Sequence, residues 1–548
     1  MLALGVAGAQ GCGGDEFCAQ GSYECSSGGG AGVSAGSGSG GSNGATGGDS
    51  AGSSSSGSSA RAGSDAGGSA GTESAFAGSA GADGGAGESG AAGGDSGPPA
   101  CDPSALEAGC VVPEGGGIFV SAVAGDDDEG DGSQASPLKT LGEAIDRVGA
   151  LRRPVPIFVC KTVYRERITL SNDGFEIHGG FACPDDGEPW TYDPTQRPQL
   201  APTSRGVVVT LRELDGSTLS DLEIVAIDAE DPGESSVAVL LNAATNVTFA
   251  RTLITAGEGK KGRNATADEY DYPSLSTLGG KHTNNDKGAA QNAACVCENT
   301  EVRSIGGGGG VGGLVAGPGS PGAPAELDGG EGGMESLSCN AGGAGGDGGD
   351  GTPVDHGPGA LVRGEVSADG WTAQPGGRGQ DGGPGKGGGG GRGATGAGML
   401  VGGGGGGACG GCGGRGGNAG AGGGSSIGIV SFDSSLTLHS SMIRTAEAGD
   451  GGNGIAGQIG QAGGAHGNGS GMGCQGGNGG RGADGGAGGG GAGGISVGIV
   501  WFDGKAPELD ALSSVEPGEE GAGGLGPEGN DGIEGVSAIV FEAENAEP

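Results

Sequence analysis

A cluster of carboxylates near residue 130 is the first feature of the sequence that could do chemistry. Asp127, Glu129 and Asp131 alternate before Gly132, a spacing that in calcium loops directs side-chain oxygens at one ion. The acid that closes such a loop is missing, because Leu138 occupies its position. The pattern is a weak Ca²⁺ candidate, and we favour the alternative of a solvated acidic turn. No other cofactor is indicated.

Two short cysteine motifs, Cys295-Val-Cys297 and Cys409-Gly-Gly-Cys412, have spacings that zinc ligands use. The sequence holds 13 cysteines but only 5 histidines. If Cys12 carries a lipid, twelve cysteines remain in two even sets of six, which favours disulfides and an oxidising compartment over zinc. The disulfide candidates are Cys18, Cys25, Cys101, Cys110, Cys160, Cys183, Cys295, Cys297, Cys339, Cys409, Cys412 and Cys474.

Composition restricts where a core can form. Of 548 residues, 145 are glycine, 33% are hydrophobic and 3% are aromatic. Glycine loses the most backbone freedom on ordering, so the compact core must lie in the segments rich in Val, Ile, Leu and Phe. The net charge of −41 argues against nucleic acid and anionic membrane surfaces as partners.

The N-terminal region predicts export. Leu2–Ala9 is a short apolar stretch, and residues 1–11 are interpreted as the remnant of an export signal ending before a lipid attachment site at Cys12. Ala7-Gly8-Ala9 offers an ordinary cleavage site as the alternative. Residues 12–100 are rich in Gly and Ser and predict a flexible, disordered tether. No apolar run of 18 residues exists, so no membrane-spanning helix is predicted.

Beyond Cys101 the composition changes to short apolar strands. Residues 118–148, IFVSAVAGDDDEGDGSQASPLKTLGEAIDRV, resemble the N-terminal cap of pectin-lyase-like β-helix proteins, of the DUF1565 type. The resemblance implies a right-handed parallel β-helix whose open end is covered by a short amphipathic helix, here predicted from Gly142 to Leu151. Strands are predicted at Ile157–Cys160, Arg167–Leu170, Phe175–His178, Gly206–Leu211 and Thr218–Leu222.

An internal repeat is the strongest sign of a solenoid. It occurs at Val237–Asn242, Ile427–Phe432, Val497–Phe502 and Ser537–Glu542, with a small residue in second place and two aliphatic residues after it. Units this small cannot bury their own apolar face, so they must stack on one another. The fold class predicted is all-β: a right-handed parallel β-helix with an N-terminal cap helix.

Three glycine-rich insertions, the last a short one from about Pro517 to Gly535, separate the copies and begin at equivalent points, so we expect them to leave from one edge of the stack. Within them Gly recurs with a period of three, which predicts either a polyglycine-II-like array or disorder. They also resemble the glycine-rich domains of PGRS-type bacterial surface proteins. The predicted divisions are 101–256 (capped N-terminal coils), 257–424 (insertion), 425–448 (coil), 449–494 (insertion) and 495–548 (C-terminal coils).

Polysaccharide lyases and hydrolases occur on this fold, but no catalytic series is complete. Asp185-Asp186 follows His178-Gly179, which reverses the order typical of polygalacturonases, and no R-x-K follows. Asp221 and Arg251 suit the carboxylate and arginine of a pectate-lyase-like face, although nothing in the sequence pairs them. Few aromatic residues could stack on sugars: Trp190, Trp371 and Trp501. The histidines are expected to be scattered surface residues: His178, His282, His356, His439 and His466.

We therefore predict no catalytic residues and a non-enzymatic, exported cell-surface protein of structural or adhesive function. It is either an outer-membrane surface lipoprotein or a secreted protein. The alternatives are a carbohydrate-active β-helix, as a polysaccharide lyase or glycoside hydrolase, and an ice- or surface-binding protein. The expected partners are extracellular polysaccharide or cell-envelope components. Nucleic acid is not expected, and the membrane is contacted only through the N-terminal lipid.

Overall fold

The computed structural model describes residues 98–102, 106–182, 188–292, 295–297, 303–324, 328–334, 338–396, 398 and 401–544. These ranges belong to one compact unit, Ala92–Pro548, and the second unit is Met1–Ala91. Several predictions fall outside the described residues: the export segment, the tether up to residue 97, Cys12, Cys18, Cys25, Cys183, Asp185 and Asp186.

The described chain is mostly β, with few helices. The strands are β1 (Ile118–Val120), β2 (Ile157–Cys160), β3 (Val163–Tyr164), β4 (Ile168–Leu170), β5 (Glu176–Phe181), β6 (Gln199–Leu200), β7 (Val209–Ser220), β8 (Glu223–Val225), β9 (Ser236–Ala250), β10 (Leu253–Thr255), β11 (Gly364–Ser367), β12 (Gly370–Ala373), β13 (Ser426–Ser434), β14 (Leu436–His439), β15 (Met442–Arg444), β16 (Ser496–Gly504), β17 (Glu508–Leu509), β18 (Ser514–Glu516) and β19 (Ser537–Glu542). The helices are α1 (Leu141–Gly149) and α2 (Leu275–Leu278).

Two long parallel sheets carry the fold. The first sheet has eleven strands in the order β1-β2-β5-β7-β9-β13-β16-β19, with β4, β14 and β17 beside them. The second sheet has six strands in the order β3-β6-β8-β10-β15-β18. From β7 onward the chain alternates between the sheets, and each return adds a strand parallel to the previous one. The predicted all-β class with parallel strands is confirmed.

Left-handed residues mark where the first sheet turns a corner. Glu213, Ala243, Asp433 and Asp503 have φ angles of 51°, 51°, 45° and 57°, and the strand register places them one above another. This conformation changes the chain direction within one residue. β7 therefore continues across the corner as one strand, whereas the sequence predicted two separate strands there.

The four copies of the repeat pair in register, as predicted. Ile427 of β13 lies beside Val237 of β9 and Val497 of β16, and Val497 lies beside Ala538 of β19. The small residue in second place has a steric reason, because a Cβ atom on Gly428 would collide with the Ile443 side chain. The small residue therefore leaves room for a side chain of the second sheet to pack against the first sheet.

Aliphatic side chains fill the space between the sheets. Ile224, Ile254 and Ile443 stack in register on the second sheet and are fully buried. Burying each side chain of this size stabilises the fold by about 1.5–3 kcal/mol. The core is thus made of rows of like residues contributed by successive strands, which explains why one sequence plan recurs.

Helix α1 closes the N-terminal end of this core, which confirms the predicted cap helix. It buries Leu141, Ala144, Ile145 and Val148 against the core. The Thr140 hydroxyl accepts a hydrogen bond from the Glu143 N–H at 3.2 Å and so caps the first turn. No helix in the described ranges is both long and apolar enough to cross a bilayer.

The three insertions leave the sheets at equivalent points. They follow β10, β15 and β18 of the second sheet and return at the start of β13, β16 and β19 of the first sheet. Because these strands are neighbours within their sheets, the departures share one corner. The expectation that the insertions leave from one edge is confirmed.

Additional segments cover the outer side of the first sheet. Trp371 and Val366 of the β11–β12 hairpin, which belongs to the first insertion, pack with Ile427, Val430 and Val497. At the N-terminal end an aromatic cluster with a disulfide covers it: Cys101, Cys110, Phe119, Phe158, Phe181, Trp190 and Tyr192. Trp190 and Trp371 are therefore packing residues rather than open platforms for sugars.

Candidate functional site

The glycine-rich insertions form one hydrogen-bonded body, which we call the glycine array: residues 256–282, 303–323, 328–334, 343–351, 374–394, 402–424, 447–470, 473–494 and 518–535. Residues 402–414, at its centre, are buried although most are glycine. The array consists of the segments that interrupt the sequence repeat, and its surface is a candidate binding site.

Backbone hydrogen bonds repeat every third residue within the array. The N–H groups of Ala408, Gly411, Gly414, Gly417, Gly420 and Gly423 donate to carbonyl oxygens of 477, 480, 483, 486, 489 and 492 at 2.8–3.0 Å. The same segment pairs with 376–391 and 455–470 with the same period. A three-residue turn presents three faces, so one segment bonds several neighbours at once. In the described segments the insertions are ordered, which decides between the two predicted alternatives.

Glycine is required at this packing distance. A Cβ atom on Gly414 would overlap the carbonyl oxygen of Gln458, and one on Gly479 would overlap that of Cys409. The backbone hydrogen bonds gained by this close approach oppose the high entropy cost of ordering glycine. The high glycine content is thus what allows the segments to pack this closely.

The non-glycine positions of the three-residue period include acidic and amide side chains, and these accept hydrogen bonds from neighbouring segments. The carboxylates of Asp347 and Asp350 accept the N–H groups of Asn478 and Arg481, each at 2.7 Å. Asp450 and Asn453 accept the N–H groups of residues 522 and 525 at 3.0 and 2.9 Å. These Asp and Asn residues satisfy amides that the glycine backbone leaves unpaired.

Disulfides join distant segments of the array. Cys295 bonds to Cys409, Cys297 to Cys412 and Cys339 to Cys474, across sequence separations of 114, 115 and 135 residues. A further disulfide links Cys101 to Cys110, and Cys160 is also disulfide-bonded. The zinc alternative for the two short motifs is wrong, because all four of their cysteines are oxidised. The disulfides indicate an oxidising, extracellular environment.

Turns collect at the end of the array that lies away from the sheets. Gly313 donates to Ala394 O at 3.1 Å, and Ser470 N donates to Gly403 O at 2.9 Å, so neighbouring turns are joined. Large apolar side chains are exposed on these turns: Val311, Leu314, Val315, Met334 and Met472. We call this end the turn surface. Exposed apolar groups of this kind mark contact surfaces when they cluster.

A second candidate site is the outer side of the first sheet, where side chains align across strands. One row runs Glu176, Thr218, Thr248, Thr437 and Glu508 in register. The next row runs Phe158, His178, Ser220, Ala250 and His439. The first row therefore places polar side chains on successive strands about 4.8 Å apart, as an extended polymer would require, whereas Phe158, His178 and Ser220 of the second row are buried.

Asp221 and Arg251 form an ion pair at the edge of this face, which corrects the expectation that nothing pairs them. Arg251 Nε and Nη2 donate to the two carboxylate oxygens at 2.9 and 2.7 Å. Asp221 is fully buried, and its hydrogen bonds raise the pKa of Arg251 above its ordinary value. Burial raises the pKa of the adjacent Tyr192 hydroxyl to about 12. Both Asp221 oxygens are engaged by Arg251 instead of facing outward as calcium ligands.

His178 is buried, so the expectation that it is a surface residue was wrong. Its Nδ1 lies 2.8 Å from the Ser220 hydroxyl, and its Nε2 lies 3.6 Å from a Glu176 carboxylate oxygen. The Phe158 ring stacks on the imidazole at a centroid distance of 5.8 Å. The interaction with His178 lowers the pKa of Glu176. These contacts hold an imidazole beside a carboxylate on the polar face.

The other histidines each hold a partner. His282 Nδ1 and His356 Nδ1 accept the N–H groups of residues 468 and 487 at 2.8 and 2.9 Å. His439 Nδ1 lies 3.5 Å from Asp510, and His466 Nδ1 lies 2.9 Å from Asn478 Oδ1. These histidine contacts could not be predicted from a sequence motif, because the partners are up to 186 residues away in sequence.

The acidic segment in the cap is a turn that supports α1. The Asp127 carboxylate accepts the N–H groups of Lys139 and Thr140 at 2.8 and 3.0 Å, and Asp131 accepts that of Ser133 at 2.9 Å. Across the described part of the chain, no three His, Cys, Asp or Glu side chains converge as metal ligands. A calcium role for Asp127, Glu129 and Asp131 stays a prediction.

Neither a family model nor a curated protein matches the sequence. Among solved structures, two crystal structures of a GH136 lacto-N-biosidase from Eubacterium ramulus match. Identities are 17% and 14%, TM-scores are 0.14 and 0.13, and the matches cover 28% and 26% of this chain. They span about a third of those chains, 36% and 34%.

These matches correct one expectation. The prediction that the chain is not an enzyme is wrong as an exclusion, because both matching structures are of a glycoside hydrolase. At a TM-score of 0.14 the likeness goes no further and assigns no activity to this chain.

Proposed function

We propose that the protein is an exported cell-surface protein in which a right-handed parallel β-helix of the pectin-lyase-like type presents the glycine array to another surface. The observation that carries this proposal is the shared corner of the three insertions, which leave and return between the same two sheets. Independent loops would need no common origin. A shared origin, a three-residue bonding period and three disulfides together support one rigid appendage of the polyglycine-II type.

The proposal includes attachment of the chain to its own cell. A lipid at Cys12 would attach the chain to the membrane through the Gly- and Ser-rich segment that follows, which reaches residue 97 because Pro99 and Ala100 already pair with Val111. The disulfides are consistent with this, because they form in oxidising compartments. The PGRS resemblance of the array composition also supports a place in the cell envelope.

The turn surface supports an adhesive rather than a merely shielding function. Leu314 and Val315 are 90% and 74% exposed. Elsewhere in the array, the backbone polar groups form hydrogen bonds with one another. Apolar side chains held at the end of a rigid body are available to a partner without reorganising the backbone, which lowers the ordering cost of binding.

Attachment to extracellular polysaccharide or cell-envelope material tests the proposal. Cells displaying the protein should adhere to such material, and a Leu314→Ser, Val315→Ser, Met472→Ser variant should adhere several-fold less at equal surface expression. Leu512→Ser is the matched control, because Leu512 is 77% exposed but lies on the loop between β17 and β18. Equal adhesion of the triple variant and the parent would contradict an adhesive turn surface.

A second candidate function, action on a polysaccharide, is favoured by the polar outer face of the first sheet. Glu176 and His178 lie together there, and Arg251 lies at its edge with its guanidinium paired to Asp221. A carboxylate beside an imidazole can act in proton transfer when a substrate reaches it, and the aligned rows suit an extended substrate.

The second candidate predicts release of reducing or unsaturated sugar ends from one member of a broad polysaccharide panel. The Glu176→Gln variant should lose this release, whereas Glu508→Gln, at the other end of the same row, should retain it. No release from any polysaccharide would contradict this function and leave the adhesion result unaffected.

A further inference from the structure

We propose that a cleft in the glycine array binds a saccharide that carries an acidic group. The cleft has a volume of about 1010 Å³ and lies between residues 273–282 and 465–466, with Asn292, Cys295 and Val296 completing its wall. We call it the histidine cleft, because His282 and His466 both line it. None of its lining residues belongs to the polar face of the first sheet.

Two backbone hydrogen bonds set the two histidines side by side. Gly280 N donates to Ala465 O at 2.8 Å, and Thr283 N donates to Asn468 O at 3.1 Å, so the segments run parallel and in register. Both segments also bond to Gly406 of a third segment. Gly406 N donates to Lys281 O at 2.9 Å, and Gly467 N donates to Gly406 O at 2.8 Å. The array backbone therefore fixes both imidazoles and leaves little to reorganise when a ligand binds.

The two imidazoles have opposite hydrogen-bonding character. His282 Nδ1 accepts the Asn468 N–H at 2.8 Å, so its ring proton lies on Nε2, which is a donor. His466 Nδ1 lies 2.9 Å from Asn478 Oδ1. That oxygen also accepts the His466 N–H at 3.1 Å. His466 Nδ1 therefore donates, and its Nε2 is left as an acceptor.

This pairing matches hydroxyl groups. Among the described residues nothing hydrogen-bonds the Nε2 atom of either His282 or His466. A sugar hydroxyl both donates and accepts, so neighbouring hydroxyls can satisfy one donor and one acceptor together. A metal ion suits the site less well, because His282 Nε2 carries a proton in this tautomer.

The charge of the cleft selects an anion. The chain has 67 acidic and 26 basic residues, yet the described residues lining the cleft include Lys281 and no Asp or Glu. In a protein with a net charge of −41, a cavity without carboxylates spares an anionic ligand the strongest local repulsion. Lys281 is exposed and free to move its ammonium group toward a carboxylate of the ligand.

The walls of the cleft suit a pyranose ring. Pro273, Leu275 and Val296 line it, and the side chains of Leu275 and Val296 are 53% and 63% exposed. Such surfaces pack against the C–H faces of a sugar. A smaller cavity of about 260 Å³ continues past Pro273 and Val296 and contains Asp271. The acidic group of the ligand is therefore expected at the Lys281 end, away from that carboxylate.

The inference deepens the proposed adhesive function, on which it rests for its biological role, but binding can be measured without an adhesion assay. Hexamers of galacturonic acid, of guluronic acid and of hyaluronan would be titrated into the full-length protein by calorimetry, with maltohexaose as the neutral probe. We expect at least one acidic hexamer to bind and maltohexaose to bind about tenfold more weakly or not at all.

Two substitutions keep the fold while removing the cleft atoms. His282→Asn retains an acceptor for the Asn468 N–H, and His466→Asn retains a donor for Asn478, but both remove Nε2. Each should weaken binding about five- to tenfold, the worth of about one hydrogen bond, and Lys281→Ala should weaken it similarly. Lys287→Ala is the matched control, because Lys287 is exposed but does not line the cleft.

Three outcomes would overturn the inference: no acidic hexamer binds, the cleft variants bind as the parent does, or maltohexaose binds equally well. Loss of adhesion with retained hexamer binding in the turn-surface variant would support both proposals as separate sites. Hexamer binding by a protein whose cells do not adhere would contradict the adhesive function alone.

Discussion

Gly382 faces the carbonyl oxygen of Ala483 so closely that a Cβ atom on Gly382 would overlap it. The next residue, Gly383, has no heavy atom nearer than 3.7 Å to the position of such a Cβ. Two adjacent glycines in one segment therefore meet opposite surroundings. The difference follows from the three-residue turn, which directs successive residues at different neighbours.

Gly382→Ala should accordingly destabilise the array, and Gly383→Ala should not. Forcing a methyl group against backbone costs about 1–3 kcal/mol. An Ala that makes only ordinary van der Waals contacts, as at residue 383, restricts the unfolded chain and is neutral or slightly stabilising. Thermal unfolding and hydrogen exchange of the array amides measure the difference. Equal melting temperatures for the two variants would contradict the close packing of these segments.

Breaking the Asp221–Arg251 pair should cost more than breaking an exposed pair. Arg251→Ala leaves a fully buried carboxylate without its partner, which we expect to lower the free energy of unfolding by about 3 kcal/mol. Arg444→Ala is the control, because the Arg444–Glu516 pair is about half exposed on both sides and such pairs contribute about 0.5 kcal/mol. Denaturant titration of both variants checks the ranking, and similar losses would show that the Asp221 carboxylate is not desolvated.

Removing a long-range disulfide should destabilise the protein more than removing a short one. Cys339 and Cys474 are 135 residues apart, whereas Cys101 and Cys110 are 9 apart. In the chain-entropy account these losses are about 5 and about 3 kcal/mol. The double serine variant of each pair would be compared by equilibrium unfolding. A larger loss in the free energy of unfolding for the Cys101–Cys110 pair would contradict the expectation that Cys339–Cys474 stabilises the array by cross-linking distant segments.

Asp510 should make stability depend on acid pH. Hydrogen bonds from Ser513 and from the Ser440 N–H lower its pKa from 3.8 to about 2. A carboxyl group with a depressed folded-state pKa contributes stability that is present above pH 3.8 and is lost as pH falls toward 2. Asp510→Asn should flatten the decline in melting temperature between about pH 4 and about pH 2. An unchanged slope would mean that Asp510 is not hydrogen-bonded in solution.

The strands and their stacking were largely predictable. The four repeat copies each contain two aliphatic residues after a small one, and this plan appears in register as β9, β13, β16 and β19. Local patterns suffice here because each strand must present apolar residues to the same interior. The corner at Glu213 was not predictable, because a left-handed φ leaves no clear signal in a residue other than glycine.

The candidate sites were much less predictable. Asp221 and Arg251 could be selected by residue type, but their pairing depends on the register of β7 and β9. His282 and His466 were expected to be scattered surface residues, and they meet only because segments far apart in sequence pack in the array. No local pattern encodes such an approach, since glycine-rich segments share nearly the same sequence.

The sequence by itself determined that the chain would build parallel strands from a stacked repeat, that its insertions would start from one edge, and that glycine would recur every third residue. Only the tertiary structure decided that these insertions are ordered, which cysteines pair, and where a polar cleft opens. The physical reason is that strand stacking follows from side-chain patterns within each unit. Packing of the glycine array depends instead on backbone contacts between distant segments, and those contacts carry almost no side-chain signature.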